Sequence, residues 1–459
     1  VASRTDDAAP RYGWALSAVL CMAAFSLVNG GQRWFDERGL GLGPYGAFAW
    51  DVLPLAAFVV AASKAVGRGE PASVPAPRLP VAHDPLLVLR AFACCMVLGG
   101  HGVGFAFRSP DFIADIAAGV PAWLVAPSPQ CGVWIFFVLS GYLIGKGFNT
   151  GRYDGTRASV ARFMTNRCLR ILPTFWLMTG SILVIAHTAI LAPHSLLLFF
   201  NIMAFNVDGR FAFIPIGALW SIATEMQFYL VAPMLCIVLR LRGAGLVACI
   251  ALAAATVAVQ CAARMMIIAA FGTVGWYDAY YMPLVGNIDL FLLGMVASRS
   301  VIIGKARGWR LRRGLGAGWG VMLALYVAMS WLYVHALNLK EPVPAYLFAA
   351  FATSVAGLAS AAAIVCFELA PRVGPQSWLY RWGRPFETFG LLTYAIYSLH
   401  EPVFLVFKYH LPAPPNLFAS VALCVVVCAF LLIPALAMYR FIEQPFLRMK
   451  WHPDRPDAP

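Results

Sequence analysis

DPLLVLRAFACCMVLGGHG, residues 84–102, is the stretch on which the reading of the fold turns. After Asp84 and Pro85 it is apolar for the length of a bilayer-crossing helix, and the run continues to Phe107. Two residues break the pattern, Arg90 and His101. A charged or titratable group at hydrocarbon depth is costly, so it usually faces a cavity or a partner. The two are eleven residues apart. Eleven steps of ~100° fall within about 20° of three full turns, so both lie on one helix face, ~16 Å apart along the axis. Gly99, Gly100, Gly102 and Gly104 surround the histidine and allow another helix or a ligand to approach closely. A purely structural reading is equally available: an arginine snorkelling to the interface and a histidine hydrogen-bonded in the core.

The rest of the chain repeats the apolar pattern. Of 459 residues, 61% are hydrophobic and 12% charged. That is enough for about a dozen spans of ~20 residues, with about half the charge of a soluble domain. Disorder, a disulfide scaffold and an ordinary soluble globule are thereby excluded. We expect an all-α polytopic membrane helix bundle. Runs near 86–107, 131–148, 169–191, 217–239, 245–270, 280–303, 315–337, 345–367, 389–408 and 416–440 give ten core spans, and runs at 12–30 and 45–66 give two more. A proline-rich linker, 67–84, separates the two-span N-terminal extension, 1–66, from a membrane domain over 85–447, which is followed by a tail, 448–459. The run 195–205 is too short to cross comfortably and reads as re-entrant or interfacial. The first apolar run is not expected to be a cleaved signal peptide, because no clear small-residue cleavage site follows it. The 11 cysteines show no metal-ligand spacing, and no metal is expected.

The net charge of +13 is better explained by basic inner loops than by nucleic acid, which is not expected as a partner. Segment 146–170 carries Lys146, Arg152, Arg157, Arg162, Arg167 and Arg170 against Asp154, and 299–313 carries Arg299, Lys305, Arg307, Arg310, Arg312 and Arg313 with no acid. Arg240 and Arg242, and Arg372, Arg381 and Arg384, fall on the same side once ten core spans are threaded. The positive-inside rule then predicts a multi-pass membrane protein with both termini cytoplasmic.

Further polar residues sit inside the spans. Ser221, Glu225 and Tyr229 recur at i, i+4, i+8 as one stripe. Glu225 lies about 12 Å and His101 about 9 Å from the outer ends of their helices, so the carboxylate is expected to orient the imidazole. The structural alternative is an ion pair of Glu225 with Arg264. Thr393, Tyr397, His400 and Glu401 share a face, which also fits an interhelical hydrogen-bond cluster. Asp289 lies at membrane depth. Ser140 is a possible nucleophile, although a Ser-Gly pair in a span is more often a packing point. Arg167 and Arg170 suit phosphate binding or simple anchoring at the inner surface.

Taken together, these segments resemble the acyltransferase-3 family of bacterial integral-membrane O-acyltransferases. The resemblance rests on Leu89-Arg90 with His101, GVWIFFVLSGYLI at 132–144, RCLRILP at 167–173, LWSIATEMQFYL at 219–230, FLLG at 291–294, YAIYSLH at 394–400 and IEQP at 442–445, in the family's order. Met226 departs from the second acid expected after Glu225, residues 1–80 lie outside the match, and the periplasmic esterase-like domain fused to some members is not expected. The resemblance implies an acyl-CoA donor, usually acetyl-CoA, a hydroxyl acceptor on a glycan or lipid-linked sugar, no tightly bound cofactor, and an essential Arg90 and His101. Arg90, Arg167 and Arg170 would then hold the donor's phosphates. His101 would act as general base on the acceptor hydroxyl, with Glu225 orienting it. Tyr229, Tyr397 and Ser140 are candidates for stabilising the oxyanion. Ser221, Asp289 and His400 are expected in supporting roles. Direct transfer is preferred to an acyl-enzyme on His101 or Ser140. A transporter is the rival class, but the two halves show no internal similarity, and Gly151-Arg-Tyr-Asp154 only echoes a transporter loop motif.

Overall fold

The computed structural model describes residues 82–185 and 217–450, and every regular element among them is helical. The expected spans at 12–30 and 45–66, the linker up to residue 81, the short run 195–205 and the tail beyond residue 450 lie outside the described residues.

Helix α1, Pro85–His101, starts where Asp84 accepts hydrogen bonds from the backbone N–H groups of Leu86 and Leu87, with proline at the first position. A π-helical turn, Gly102–Ala106, continues it. Ser128 caps α2, Pro129–Asn149, in the same way through the N–H of Cys131. Then follow α3, Arg157–Ile185; α4, Trp220–Val238; α5, Leu246–Ala279; α6, Leu284–Ala306; α7, Gly314–Tyr333; α8, Thr353–Glu368; α9, Trp378–His410; and α10, Leu417–Met438. Among the described residues, 9 helices are long and apolar enough to cross a membrane. They match the expected core runs apart from 169–191, which is described only to Ile185, as the second half of α3. The chain is a polytopic membrane helix bundle.

Tight crossings built on glycine set its centre. Helices α2 and α6 approach so closely that a Cβ on Gly141 would lie 2.1 Å from the carbonyl oxygen of Phe291, and one on Gly294 would lie 2.1 Å from that of Val138. Phe291 stacks on Phe137 at 4.7 Å and on Phe228 at 4.1 Å, which ties α4 to the same centre. Helix α1 lies in the groove between α2 and α9, where a Cβ on Gly132 would lie 2.5 Å from the Ala93 carbonyl oxygen and one on Gly390 2.1 Å from that of Leu87. In contrast, α5 and α10 present Val247, Ile250, Met266, Phe418, Val425 and Ile433 outward. Such apolar surface suits lipid and not water. Helix α9 begins eleven residues earlier than its expected run, since 378 precedes 389 by that number. Its first turns carry Arg381, Arg384 and Glu387 and are amphipathic, so hydropathy alone overlooks them.

Candidate active site

A cavity of about 320 Å³ lies between α1, α2, α3, α4 and α9. Arg90 reaches it from the first half of α1, and its Nε donates to Thr393 Oγ1 at 3.4 Å. Arg167 and Arg170, one helical turn apart on α3, face the same space, and Arg152 and Lys450 bring the basic side chains lining it to five. Glu225 is the one carboxylate lining the cavity among the described residues. Its Oε1 accepts from the hydroxyl of Ser140 on α2 and, at 2.5 Å, from that of Tyr229 one turn along α4. The Arg167 guanidinium lies 5.3 Å from the Tyr229 ring centroid and 5.4 Å from that of Phe163, and its Nε is buried with no hydrogen-bond partner among the described residues. Burial, together with Arg170, Arg167, Arg152 and Arg90, pushes the Lys450 amine down to about 6. The excess of positive charge makes this cavity a place for a polyanion, and forked guanidinium groups suit phosphate oxygens.

The inner end of the cavity is closed by a pair of hydroxyls. Along α9, the lining residues run Thr393, Tyr394, Tyr397 and stop. Tyr397 Oη lies 2.6 Å from Ser221 Oγ, and Tyr397 also donates to the Ala218 carbonyl at 2.9 Å. Beyond this pair sit two imidazoles. His101 Nδ1 lies 2.8 Å from His400 Nε2, and His400 Nδ1 lies 2.6 Å from the backbone carbonyl oxygen of Tyr397. The rings are nearly coplanar, at 6°, as an in-plane hydrogen bond requires. Hydrogen-bond directions follow from the carbonyl, which can only accept. His400 therefore carries its proton on Nδ1 and offers the lone pair of Nε2, so His101 donates from Nδ1. The neutral His101 is thereby left with a basic lone pair on Nε2.

Of the residues singled out from sequence, Arg90, Ser140, Arg167, Arg170, Ser221, Glu225, Tyr229 and Tyr397 share the cavity, while His101 and His400 form a separate pair behind it. Three expectations need correction. Glu225 does not orient His101: its hydrogen bonds go to Ser140 and Tyr229, and His400 occupies the position beside the imidazole. Glu225 does not pair with Arg264 either. Arg264 pairs with Asp289 at 2.8 Å, both fully buried, with Ser354 donating to the same carboxylate oxygen at 2.7 Å. Asp289 thus belongs to an ion pair that joins α5, α6 and α8, apart from the cavity. Glu401, from the α9 cluster, accepts from the backbone N–H of Ala218 at 2.8 Å and fixes the start of α4. Sequence reasoning missed Lys450, and it treated Arg152 only as a loop charge. Nothing in the spacing of either points to the cavity, whereas the IEQP motif did mark Glu443, which interacts electrostatically with Arg170 and Arg90. Among the described residues, no group of three or more His, Cys, Asp or Glu side chains is placed to hold a metal ion.

Fold and site together define a membrane-embedded helix bundle with a cavity rich in basic side chains at one end of a helix and a hydrogen-bonded imidazole at the other. Comparison with known proteins gives the family. Residues 86–438 match the acyltransferase domain family Acyl_transf_3, and the chain belongs to it. It is also 26% identical over 172 residues to nodulation protein 10 of Rhizobium leguminosarum bv. viciae, a match covering 32% of this chain and 42% of that protein. The chain thus spans under half the length of this curated relative. No solved structure matches.

Proposed function

We propose that the protein moves an acyl group, most simply acetyl, from cytoplasmic acyl-CoA to a hydroxyl of a glycan or lipid-linked sugar at the opposite face of the bacterial inner membrane. The observation that carries this reading is the hydrogen-bonded chain from His101 through His400 to the Tyr397 carbonyl, from which a neutral His101 keeps its lone pair on Nε2, at the far end of the helix that presents Arg90 to the cationic cavity. Arg90, Arg167, Arg170 and Lys450 hold the phosphates of the donor, and its pantetheine arm runs along the Arg90–His101 face, ~16 Å long. His101 Nε2 takes the proton of the acceptor hydroxyl. The oxygen attacks the thioester carbonyl, a C–O bond forms, the C–S bond breaks, and the departing CoA thiolate takes its proton from the imidazolium. His400 is a positioning residue in this scheme, and Glu225 with Ser140 and Tyr229 shapes the donor cavity and balances Arg90. The basic loops of 146–170 and 299–313 support a cytoplasmic position for the mouth of the cavity, and hence cytoplasmic termini.

Purified protein in liposomes, supplied with acetyl-CoA and a glycan acceptor, tests the proposal by release of free CoA, corrected for the protein's own thiols. His101→Ala should reduce release by about a hundredfold or more while CoA binding survives. Equal release from both proteins removes His101 as the base. Absence of CoA binding by the wild type removes the donor and leaves a transporter as the better reading.

A further inference from the structure

A second cavity, of about 300 Å³, lies at the other end of α1 and α9, next to the histidine pair. Its walls include Phe107, Phe407 and Leu423, and two cations, Arg108 and Lys408, stand at it. Both are exposed, and neither forms an ion pair among the described residues. Lys408 Nζ lies 4.5 Å from the ring centroid of Phe105, itself 62% exposed. Phe404 packs edge-on against His400 at 5.8 Å and lies 5.3 Å from Phe107 of the cleft wall, so one aromatic ring links the cleft to the imidazole pair. The charge is unusual for its place. The loops on this side carry little charge, and cations in a membrane protein collect at the opposite side. Two cations converging here on an apolar-walled cleft select for an amphiphile with an anionic head: the cations take the head, and the aromatic and aliphatic walls take the adjoining chain.

We infer that this cleft is the acceptor subsite and that it recognises a phosphate group carried on a lipid, so that the hydroxyl to be acylated belongs to a sugar linked through phosphate to a membrane-held chain. The inference rests on the proposed acyl transfer at His101. Arg108 lies seven residues beyond His101, just past the π-helical turn Gly102–Ala106. A phosphate held there sits beyond the His101 end of the helix, whereas the donor's phosphates occupy its Arg90 end.

The test measures binding to the full chain in nanodiscs of phosphatidylglycerol, which supplies ordinary anionic headgroups as a constant competitor. The probes are a long-chain polyprenyl phosphate, the corresponding polyprenol, inorganic phosphate and CoA. The polyprenyl phosphate should bind the wild type at least tenfold more tightly than Arg108→Gln/Lys408→Gln, the polyprenol should not bind, inorganic phosphate should compete only weakly, and CoA should bind both proteins equally. Equal binding of the polyprenyl phosphate to wild type and variant overturns the subsite, as does equal binding of phosphate and polyprenol or loss of all binding in phosphatidylglycerol. Full displacement by dilute inorganic phosphate overturns the lipid-borne part of the assignment. Failure of the acyl-transfer reading shows separately, as a wild type that binds the polyprenyl phosphate but not CoA.

Discussion

The carbonyl of Tyr397 can only accept a hydrogen bond, and that constraint passes through two imidazoles to set which nitrogen of His101 is basic. Replacing His400 should therefore act on proton transfer and not on donor binding. His400→Ala is expected to lower kcat by about a hundredfold with KM for acyl-CoA little changed. His400→Asn, whose amide oxygen can accept from His101 Nδ1, should recover part of that loss. A uniform rise in KM for both variants would instead mark His400 as a packing residue. Lys450 offers a second prediction. Its amine, pushed down to about 6, is largely neutral in the free protein at pH 7. Binding a polyphosphate beside it favours the charged form and takes up a proton, so CoA affinity should rise as pH falls toward 6, by at most ~tenfold per unit, and level off below. Lys450→Met should flatten that slope, as titration calorimetry across the range would show. The Arg90–His101 face was legible from spacing alone, but the partner of His101 was not. Depth along a helix is one coordinate, and it set Glu225 and His101 level. Rotation about the axis and the order of neighbouring helices decide contact, and these come from packing at Gly132 and Gly390, which no single-helix pattern encodes.

Helices meet here by two devices, bare backbone and buried charge. At the crossing of α2 and α6, Gly141→Ala would put a methyl 2.1 Å from the Phe291 carbonyl oxygen. The helices must part, at an expected cost of about 1–3 kcal/mol. Gly320→Ala on α7, where nothing lies within 4 Å of the new Cβ, should be near neutral. Thermal unfolding in detergent separates the two. The Arg264–Asp289 pair behaves differently. Arg264→Met leaves a fully buried carboxylate, and about 3–5 kcal/mol of destabilisation is expected, most of it recovered in Arg264→Met/Asp289→Leu. An additive double variant would show that the two charges are independent. Element positions were legible wherever apolar runs are long and uniform, as in α1, α2 and α4. The start of α9 was not, because a helix leaving the hydrocarbon becomes amphipathic and its mean hydropathy falls while its backbone continues unchanged.

For the whole molecule, the segregation of charge predicts orientation. With the native cysteines replaced, Arg307→Cys should react with an impermeant thiol reagent only after the cells are opened, and Lys340→Cys should react in intact cells. The reverse pattern would invert the molecule in the membrane and exchange the faces assigned to donor and acceptor. One architectural detail also bears on economy of the donor. Tyr397 and Ser221, hydrogen-bonded to each other at 2.6 Å, stand between the cationic cavity and the imidazole pair. On the proposed function, a thioester held on the cavity side of that pair would be kept apart from the imidazoles, and idle hydrolysis by His101 would be held down. On that reading turnover would wait on whatever parts the two hydroxyls, and the arrival of the second substrate would be the step that commits the first.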